Sequence, residues 1–180
     1  MPTENERKYV LDIKSEEEIE DLKATKAVIE QGYTAFSKGL SLRIRKKQTS
    51  LCKRPTYYLT YKQKVTNRTI EIENEIEERD FKELWDISVG KLKKIRYTFA
   101  DNAGNFWEVD FFKKNGETYF VLAEVELPEG VEAPKSVPKY INKFLLYEVP
   151  LTDCRFSNKR LGDVEFATEL HKSIKKGVLK

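Results

Sequence analysis

Apolar and charged residues alternate along seven stretches of the first 127 positions, and each stretch reads as a strand with one greasy face and one charged face. The first strand spans about Glu4 to Ile13, where Glu4, Glu6 and Lys8 share one face and Asn5, Arg7 and Tyr9 take the other. Leu40, Leu42 and Ile44 then alternate with Ser41, Arg43 and Arg45. From Tyr57 to Val65, Thr60, Lys62 and Lys64 oppose Leu59 and Tyr61, and from Thr69 to Ile76, Glu71, Glu73 and Glu75 oppose Ile70 and Ile72. Lys94 and Arg96 oppose Ile95 and Tyr97. In Asn105 to Lys113, Glu108 and Asp110 oppose Trp107, Val109 and Phe111, and in Thr118 to Leu127, Glu124 and Glu126 oppose Ala123, Val125 and Leu127.

Elsewhere the period lengthens. Ser15 followed by Glu18 has the form of a capping box, and Ile19, Leu22, Ala24, Val28 and Ile29 suit a helix that Gln31-Gly32-Tyr33 would end. A second helix is expected from Asp80 to about Leu92, with Phe81, Leu84, Trp85 and Val89 on its apolar side. Asp101 to Asn105 reads as a hairpin loop and Asn115-Gly116 as a two-residue turn. Past Pro128 the texture changes to a proline-punctuated loop, a short helix near Lys139 to Leu146, an irregular stretch from Tyr147 to Asn158, and a terminal helix from Leu161 to Lys176 that Gly177 would stop. The expected organisation is one domain over 1–180: a sheet over about 2–127 and a helical segment over about 134–177.

The charged faces are sorted by sign. Acidic side chains fill the first, fourth, sixth and seventh strands, basic ones the second, third and fifth, with Lys8 the exception. Two arrangements fit seven such antiparallel strands. In one, an open sheet buries its apolar face and wets its charged face. In the other, the sheet closes into a barrel with the charges inside and the helices packed outside. Solvated faces usually mix signs to form cross-strand pairs, so the sorting favours the barrel. Within one acidic face, two carboxylates about 6.6 Å apart repel by roughly 2.5 kcal/mol at an effective dielectric of about 20, so such a face needs water or a cation.

Composition narrows the chemistry. Of the 180 residues, 35% are charged, against about a quarter in an ordinary domain, while 33 basic and 30 acidic residues leave a net charge of only +3. The molecule as a whole therefore has little field with which to attract nucleic acid, and any electrostatic function must come from local sorting. One histidine, His171, read as a surface residue of the terminal helix, and two distant cysteines, Cys52 and Cys154, read as reduced bystanders, exclude a His- or Cys-based zinc site. No Gly-rich phosphate loop or apolar run of membrane-spanning length is present, and a cytoplasmic protein without a secretory leader is expected. If the charges face one cavity, Arg43, Arg45, Lys62, Lys64, Lys94 and Arg96 suit a ligand of high negative charge. The carboxylates would repel that ligand unless a hard divalent cation, Mg²⁺ or Mn²⁺, sat between them.

Taken together the motifs resemble the triphosphate tunnel metalloenzymes, the CYTH superfamily, and within it small bacterial inorganic triphosphatases. The family's Glu-x-Glu-x-Lys signature is matched by Glu4, Glu6 and Lys8. The resemblance continues in order through Gln31-Gly32-Tyr33, Leu42-Arg43-Ile44-Arg45, Leu59-Thr60-Tyr61-Lys62, Glu73-Asn74-Glu75-Ile76, Lys94-Ile95-Arg96-Tyr97, Trp107 to Phe111, and Ala123 to Leu127, covering about residues 2–160. It implies an α+β, mainly β, fold: an eight-stranded closed antiparallel barrel, or tunnel, one strand more than the pattern alone provides. It also implies a metal-dependent triphosphate hydrolase using Mg²⁺ or Mn²⁺. On this resemblance Glu4, Glu6, Glu124 and Glu126 would be metal ligands, with Glu73, Glu75 and Asp110 near a second metal or its waters. Arg43, Arg45, Lys62, Lys94 and Arg96 would hold phosphates, joined by the additional cation Lys64, and Lys8 would orient substrate or the attacking water, with Glu6 and Arg45 beside it in catalysis. The expected partner is a small-molecule triphosphate, foremost inorganic triphosphate, with no membrane or nucleic acid and a homodimer compatible. Alternatives are a class IV adenylate cyclase, another nucleoside or thiamine triphosphatase, or a non-catalytic polyphosphate-binding module.

Overall fold

The computed structural model describes residues 5–19, 23–66 and 68–179, so Glu4, Leu22 and Asn67 lie outside the described residues. Among the described residues nine strands form one antiparallel sheet: β1 (Glu6–Leu11), β2 (Thr25–Ser37), β3 (Leu40–Thr49), β4 (Thr56–Val65), β5 (Arg68–Glu75), β6 (Val89–Ala100), β7 (Phe106–Lys114), β8 (Glu117–Glu126) and β9 (Leu145–Val149). Helices α1 (Glu78–Ile87), α2 (Lys139–Phe144), α3 (Asn158–Leu161) and α4 (Val164–Lys175) complete it. The strand order is β5-β4-β3-β2-β6-β7-β8-β1-β9, with β5 and β9 as free edges. The expected eight-stranded closed barrel is therefore replaced, among the described residues, by a nine-stranded open sheet. In a flat sheet, seven spacings of about 4.8 Å would separate β1 from β5 by about 34 Å. Side chains of both strands nevertheless line one cavity, so the sheet is rolled into a deep trough.

The trough is held by three apolar clusters, and they divide its two faces. On the convex face, Tyr9, Trp107, Phe111 and Val125 pack beneath Ile13 and Ile19 of the segment after β1 and beneath Ile141 of α2. Further round, Ile44 and Tyr57 are covered by Phe81 of α1, with Leu84 and Trp85 beside it. The third cluster is on the concave face: Val10, Leu92, Phe112, Phe120 and Leu122 meet Phe156, Leu161 and the α4 residues Ala167, Leu170 and Ile174. One end of the trough is thus plugged by the C-terminal helices, and the charged residues occupy what remains open.

Three expected elements differ. The helix expected over Ser15 to Ile29 is a single 3-10 turn, Glu16–Ile19, followed by the first half of β2. The capping signal is real but short-ranged: the Glu18 carboxylate accepts from the Lys14 and Ser15 amides at 3.0 and 3.4 Å. Beyond it, Ala27, Ile29, Gln31 and Tyr33 are buried with two-residue spacing, and this shorter period prevails over the coincident helical one. Gln31-Gly32-Tyr33 is accordingly the middle of a strand. The second helix ends at Ile87, and Val89 to Leu92 belong to β6. Within the stretch expected to be irregular, β9 pairs with β1, Tyr9 opposite Glu148 and Val10 opposite Tyr147. The terminal helix is interrupted near Gly162: Ser157 caps α3 and the Asp163 carboxylate caps α4 by accepting from the Phe166 amide at 3.1 Å.

His171 is partly buried, its ring 5.8 Å from that of Phe120, and both cysteines are free and exposed. Among the described residues no helix is long and apolar enough to cross a membrane. The Asn115-Gly116 turn has φ of 52° and 87°, as a two-residue hairpin of the predicted kind requires.

Gly32 has a steric role. A Cβ there would lie 2.8 Å from Ser88 Cβ and 3.0 Å from its Oγ, which donates to the Leu84 carbonyl at the end of α1. Gly32→Ala is expected to lower stability by about 1–3 kcal/mol through overpacking. Thermal denaturation measures this, and an unchanged melting temperature would show that α1 is not pressed against β2.

Candidate active site in the trough

The register of the sheet assembles the site row by row. Lys8 lies opposite Glu124 across β1 and β8, and Glu124 opposite Glu108 across β8 and β7. Asp110 faces Arg96 across β7 and β6. On the far wall Arg43 faces Thr60, Thr60 faces Glu73, and Lys62 faces Glu71. Two-residue alternation fixes that these side chains all enter the trough. The cavity between them holds about 440 Å³, within the range of small-molecule sites. Its lining among the described residues is charged or polar throughout: Glu6, Lys8 and Glu124 on one wall, Arg43, Arg45, Lys62, Glu71 and Glu73 on the other, Arg96 and Glu108 between, and Ser157 and Asn158 from the C-terminal segment.

Beneath this floor lies a buried ion cluster. Asp110 accepts from Arg96 Nε at 2.6 Å and Nη2 at 2.7 Å, and from Lys94 Nζ at 2.5 Å. Lys94 also donates to Asn158 Oδ1 at 2.7 Å, tying the start of α3 to the sheet. Lys94 and Asp110 are both wholly inaccessible to solvent. Burial would raise the Asp110 carboxyl, but the Arg96 and Lys94 charges outweigh it and hold it well below the usual carboxylate range. Burial and the neighbouring Arg96 charge pull the Lys94 ammonium down to about 8, against the attraction of Asp110. Arg96 is the dominant partner, because it binds Asp110 through two nitrogens and also reaches Glu108 and Glu124.

The cations above this cluster are unequally matched. Arg43 donates to Thr60 Oγ1 at 3.2 Å and approaches Glu71 and Glu73 at 3.5 Å, while Thr60 donates to Glu73 at 2.6 Å. Lys62 lies 3.3 Å from Glu71. Arg45 has no carboxylate within ion-pair distance among the described residues, and its buried Nε has no hydrogen-bond partner. Burial, together with the Arg43 and Arg96 charges, lowers its pKa to about 10, so it remains a cation at neutral pH. An unpaired guanidinium crowded by two others is stabilised by an anion.

The acidic side is the complement. Glu6, Glu108, Glu124 and Glu126 line a recess of about 180 Å³ next to the cation wall, with Phe106 at its lip. Burial, and then the Glu124 charge, push the Glu6 carboxyl up to about 7 despite Lys8. Burial would lower Lys8, but Glu124 at 2.6 Å and Glu6 at 3.2 Å outweigh it and raise its pKa. Glu124 is lowered: burial opposes, Lys8 leads the charges that prevail. This donor set is all oxygen and carries more negative charge than Lys8 neutralises, which suits a hard divalent cation. Among the described residues no three carboxylates stand in chelating geometry. The reason is visible: Lys8 bridges Glu6 and Glu124, and Arg96 takes up Glu108.

Of the residues singled out by sequence, Glu6, Lys8, Arg43, Arg45, Lys62, Glu73, Arg96 and Glu124 line the cavity, and Glu126 lines the adjoining recess. Lys94 and Asp110 lie beneath the floor, wholly inaccessible to solvent and engaged with each other, Arg96 and Asn158, and neither lines the cavity. Lys64 and Glu75 are exposed and absent from the lining, and Glu4 is outside the described residues. The carboxylates expected around a second metal, Glu73, Glu75 and Asp110, are thus not brought together. Glu71 and Glu108 join the site without having been picked out as site residues, although each shares a charged strand face with residues that were. Ser157 and Asn158 carried no signal of this kind.

No family model matches the sequence, and no curated protein does. Among solved structures, the chain is similar to the inorganic triphosphatase NE1496, with 27% identity over 90% of this chain and 95% of that one and a TM-score of 0.61. A second structure of NE1496, described as a hypothetical protein, gives 26% identity over 89% of this chain and 97% of that one, with a TM-score of 0.59. PH1819 from Pyrococcus horikoshii OT3, at 22% identity over 98% and 91% of the two chains and a TM-score of 0.50, shares the fold alone. The likeness in structure thus agrees with the resemblance in sequence to triphosphate tunnel metalloenzymes.

Proposed function

We propose that this chain is a divalent-metal-dependent triphosphate hydrolase that cleaves inorganic triphosphate to pyrophosphate and phosphate. The observation that carries the reading is the unpaired Arg45 guanidinium, set between Arg43 and Arg96 and facing carboxylates across one cavity. The similarity to NE1496 supports the same reaction class. Arg45, Arg43 and Lys62 would bind the phosphate oxygens and hold the chain in register, and Arg96, fixed by Asp110, would add a donor from the floor. Lys8 would contact substrate or the attacking water from the wall that carries Glu6 and Glu124. Glu6, Glu108, Glu124 and Glu126, together with Glu4, would hold Mg²⁺ or Mn²⁺. When bound, that ion would neutralise charge developing on the phosphoryl oxygens.

A pure polyphosphate binder has no use for four carboxylates beside its ligand, and the acidic recess disfavours that alternative. The second reading is an organic triphosphate, as in a nucleoside or thiamine triphosphatase or an adenylate cyclase. Its one support is Phe106, 67% exposed at the lip of the recess, where it could meet a ring.

Glu6→Gln tests the assignment. Turnover of inorganic triphosphate should fall to background with the circular dichroism spectrum unchanged. Chelation should silence the unaltered protein reversibly, with Mg²⁺ or Mn²⁺ restoring it. Wild-type turnover in the variant would sink the role given to Glu6.

A further inference from the structure

A second cavity, of about 450 Å³, opens away from the trough, between the end of α1, the start of β6, the β7–β8 turn and the α3–α4 junction. Its chemistry is that of an anion site with an apolar wall. Lys91, Lys93 and Lys114 contribute three ammonium groups, and Trp85, Ile95 and Tyr119 contribute apolar surface. The carboxylates that also line it are already engaged: Glu16 pairs with Lys113 at 2.7 Å and Lys26 at 2.9 Å, and Glu30 with Lys46 at 3.0 Å. Lys93 and Lys114 have no carboxylate within ion-pair distance among the described residues, and the Lys91 ammonium lies 5.3 Å above the Trp85 ring. In the register, Lys93 stands between Glu30 of β2 and Lys113 of β7, but Glu30 is taken up by Lys46 and Lys113 by Glu16, so the Lys93 ammonium is left to solvent and the cavity.

We propose that this cavity binds a small phosphorylated ligand carrying a flat ring, the nucleotide class, with Lys93, Lys114 and Lys91 on the phosphate and Trp85 and Tyr119 against the ring. The cavity's size fits a small molecule rather than a macromolecular surface. The inference does not depend on the reaction proposed for the trough, since none of these five residues lines that cavity.

Trp85 supplies the test, because the other tryptophan, Trp107, is fully buried beneath the convex face. AMP and inorganic phosphate are titrated separately while indole fluorescence is followed in four proteins: unaltered, Trp85→Phe, Lys93→Ala with Lys114→Ala, and Arg45→Ala. Saturable quenching by AMP is expected in the unaltered and Arg45→Ala proteins. It should disappear in Trp85→Phe and need about tenfold more AMP, or beyond, in the double-lysine variant, for the loss of two charged contacts. The double variant should keep its circular dichroism spectrum and its turnover in the trough. Quenching lost with Arg45→Ala would place AMP in the trough and overturn the proposal. Equal affinity in the double-lysine variant, no saturable change, or inorganic phosphate binding as tightly as AMP would each overturn it as well.

Discussion

Replacing Arg45 by alanine is expected to lower kcat/KM for inorganic triphosphate by about a hundredfold to a thousandfold, the usual loss when one donor to developing charge is removed. The same substitution should leave thermal stability unchanged or slightly raised. The two effects have opposite signs because Arg45 has no internal partner: without a ligand it is a partly buried cation held beside Arg43 and Arg96 with its Nε unsatisfied. A structural arginine would behave in the reverse way, losing stability first. Paired measurement of initial rates and melting temperature separates the cases, and a destabilised variant with normal kcat/KM would reject the anion-binding role. Arg45→Lys should recover only part of the activity, since an ammonium lacks the planar pair of donors that fits a phosphate edge.

Asp110→Asn is expected to cost about 3–5 kcal/mol, the range for breaking a buried ion pair from one side. The substitution conserves volume but leaves Lys94 without its carboxylate and Arg96 without its two-nitrogen ion pair. In a chain of this length the melting temperature should fall by on the order of 10 °C. The pH dependence follows from the direction of the Asp110 shift. Its carboxyl titrates lower in the folded protein than the unfolded value of about 3.9. The stability it contributes is therefore fully present above about pH 4 and is lost as the pH falls below that. The stability gap between the unaltered protein and Asp110→Asn should narrow in acid. Denaturant titrations at neutral and acidic pH measure it, and a gap independent of pH would mean that the carboxylate's charge is not what the floor depends on.

Much of the trough was legible from alternation alone. The charged faces of β3, β4, β6, β7 and β8 were correctly grouped because a two-residue period commits every second side chain to the same side. Length and type failed where two periods coincided, as at Val28 and Ile29, whose spacing from Ile19 mimics a helix while Ala27, Ile29 and Gln31 carry the strand pattern that tertiary pairing selects. Closure was not legible, because it depends on whether β5 finds a partner, and the same alternation serves an open trough or a barrel. The concave face also held a surprise in its apolar half. Phe112, Phe120 and Leu122 continue the strands of Asp110 and Glu124, and they make sense only once α4 is known to lie against them.

The site was less legible than the fold for an electrostatic reason. Sequence places Lys94, Arg96 and Asp110 on one face but does not tell which charges neutralise each other. The register and the packing do: Asp110 stands opposite Arg96, and the buried Lys94 ammonium donates to the same carboxylate, so both lie beneath the cavity and not in its lining. Conversely, Ser157 and Asn158 enter from a segment outside the strand alternation, and the contact of Asn158 with Lys94 of β6 ties that segment to the floor.

Phosphate release from inorganic triphosphate, pyrophosphate and ATP, each with Mg²⁺, Mn²⁺ or a chelator, tests the central claim most directly, with ATP products also examined for cyclic AMP. The account predicts metal-dependent release from inorganic triphosphate well above that from pyrophosphate or ATP, silenced by the chelator. Release that persists in chelator, preference for ATP, or no release from inorganic triphosphate would contradict it.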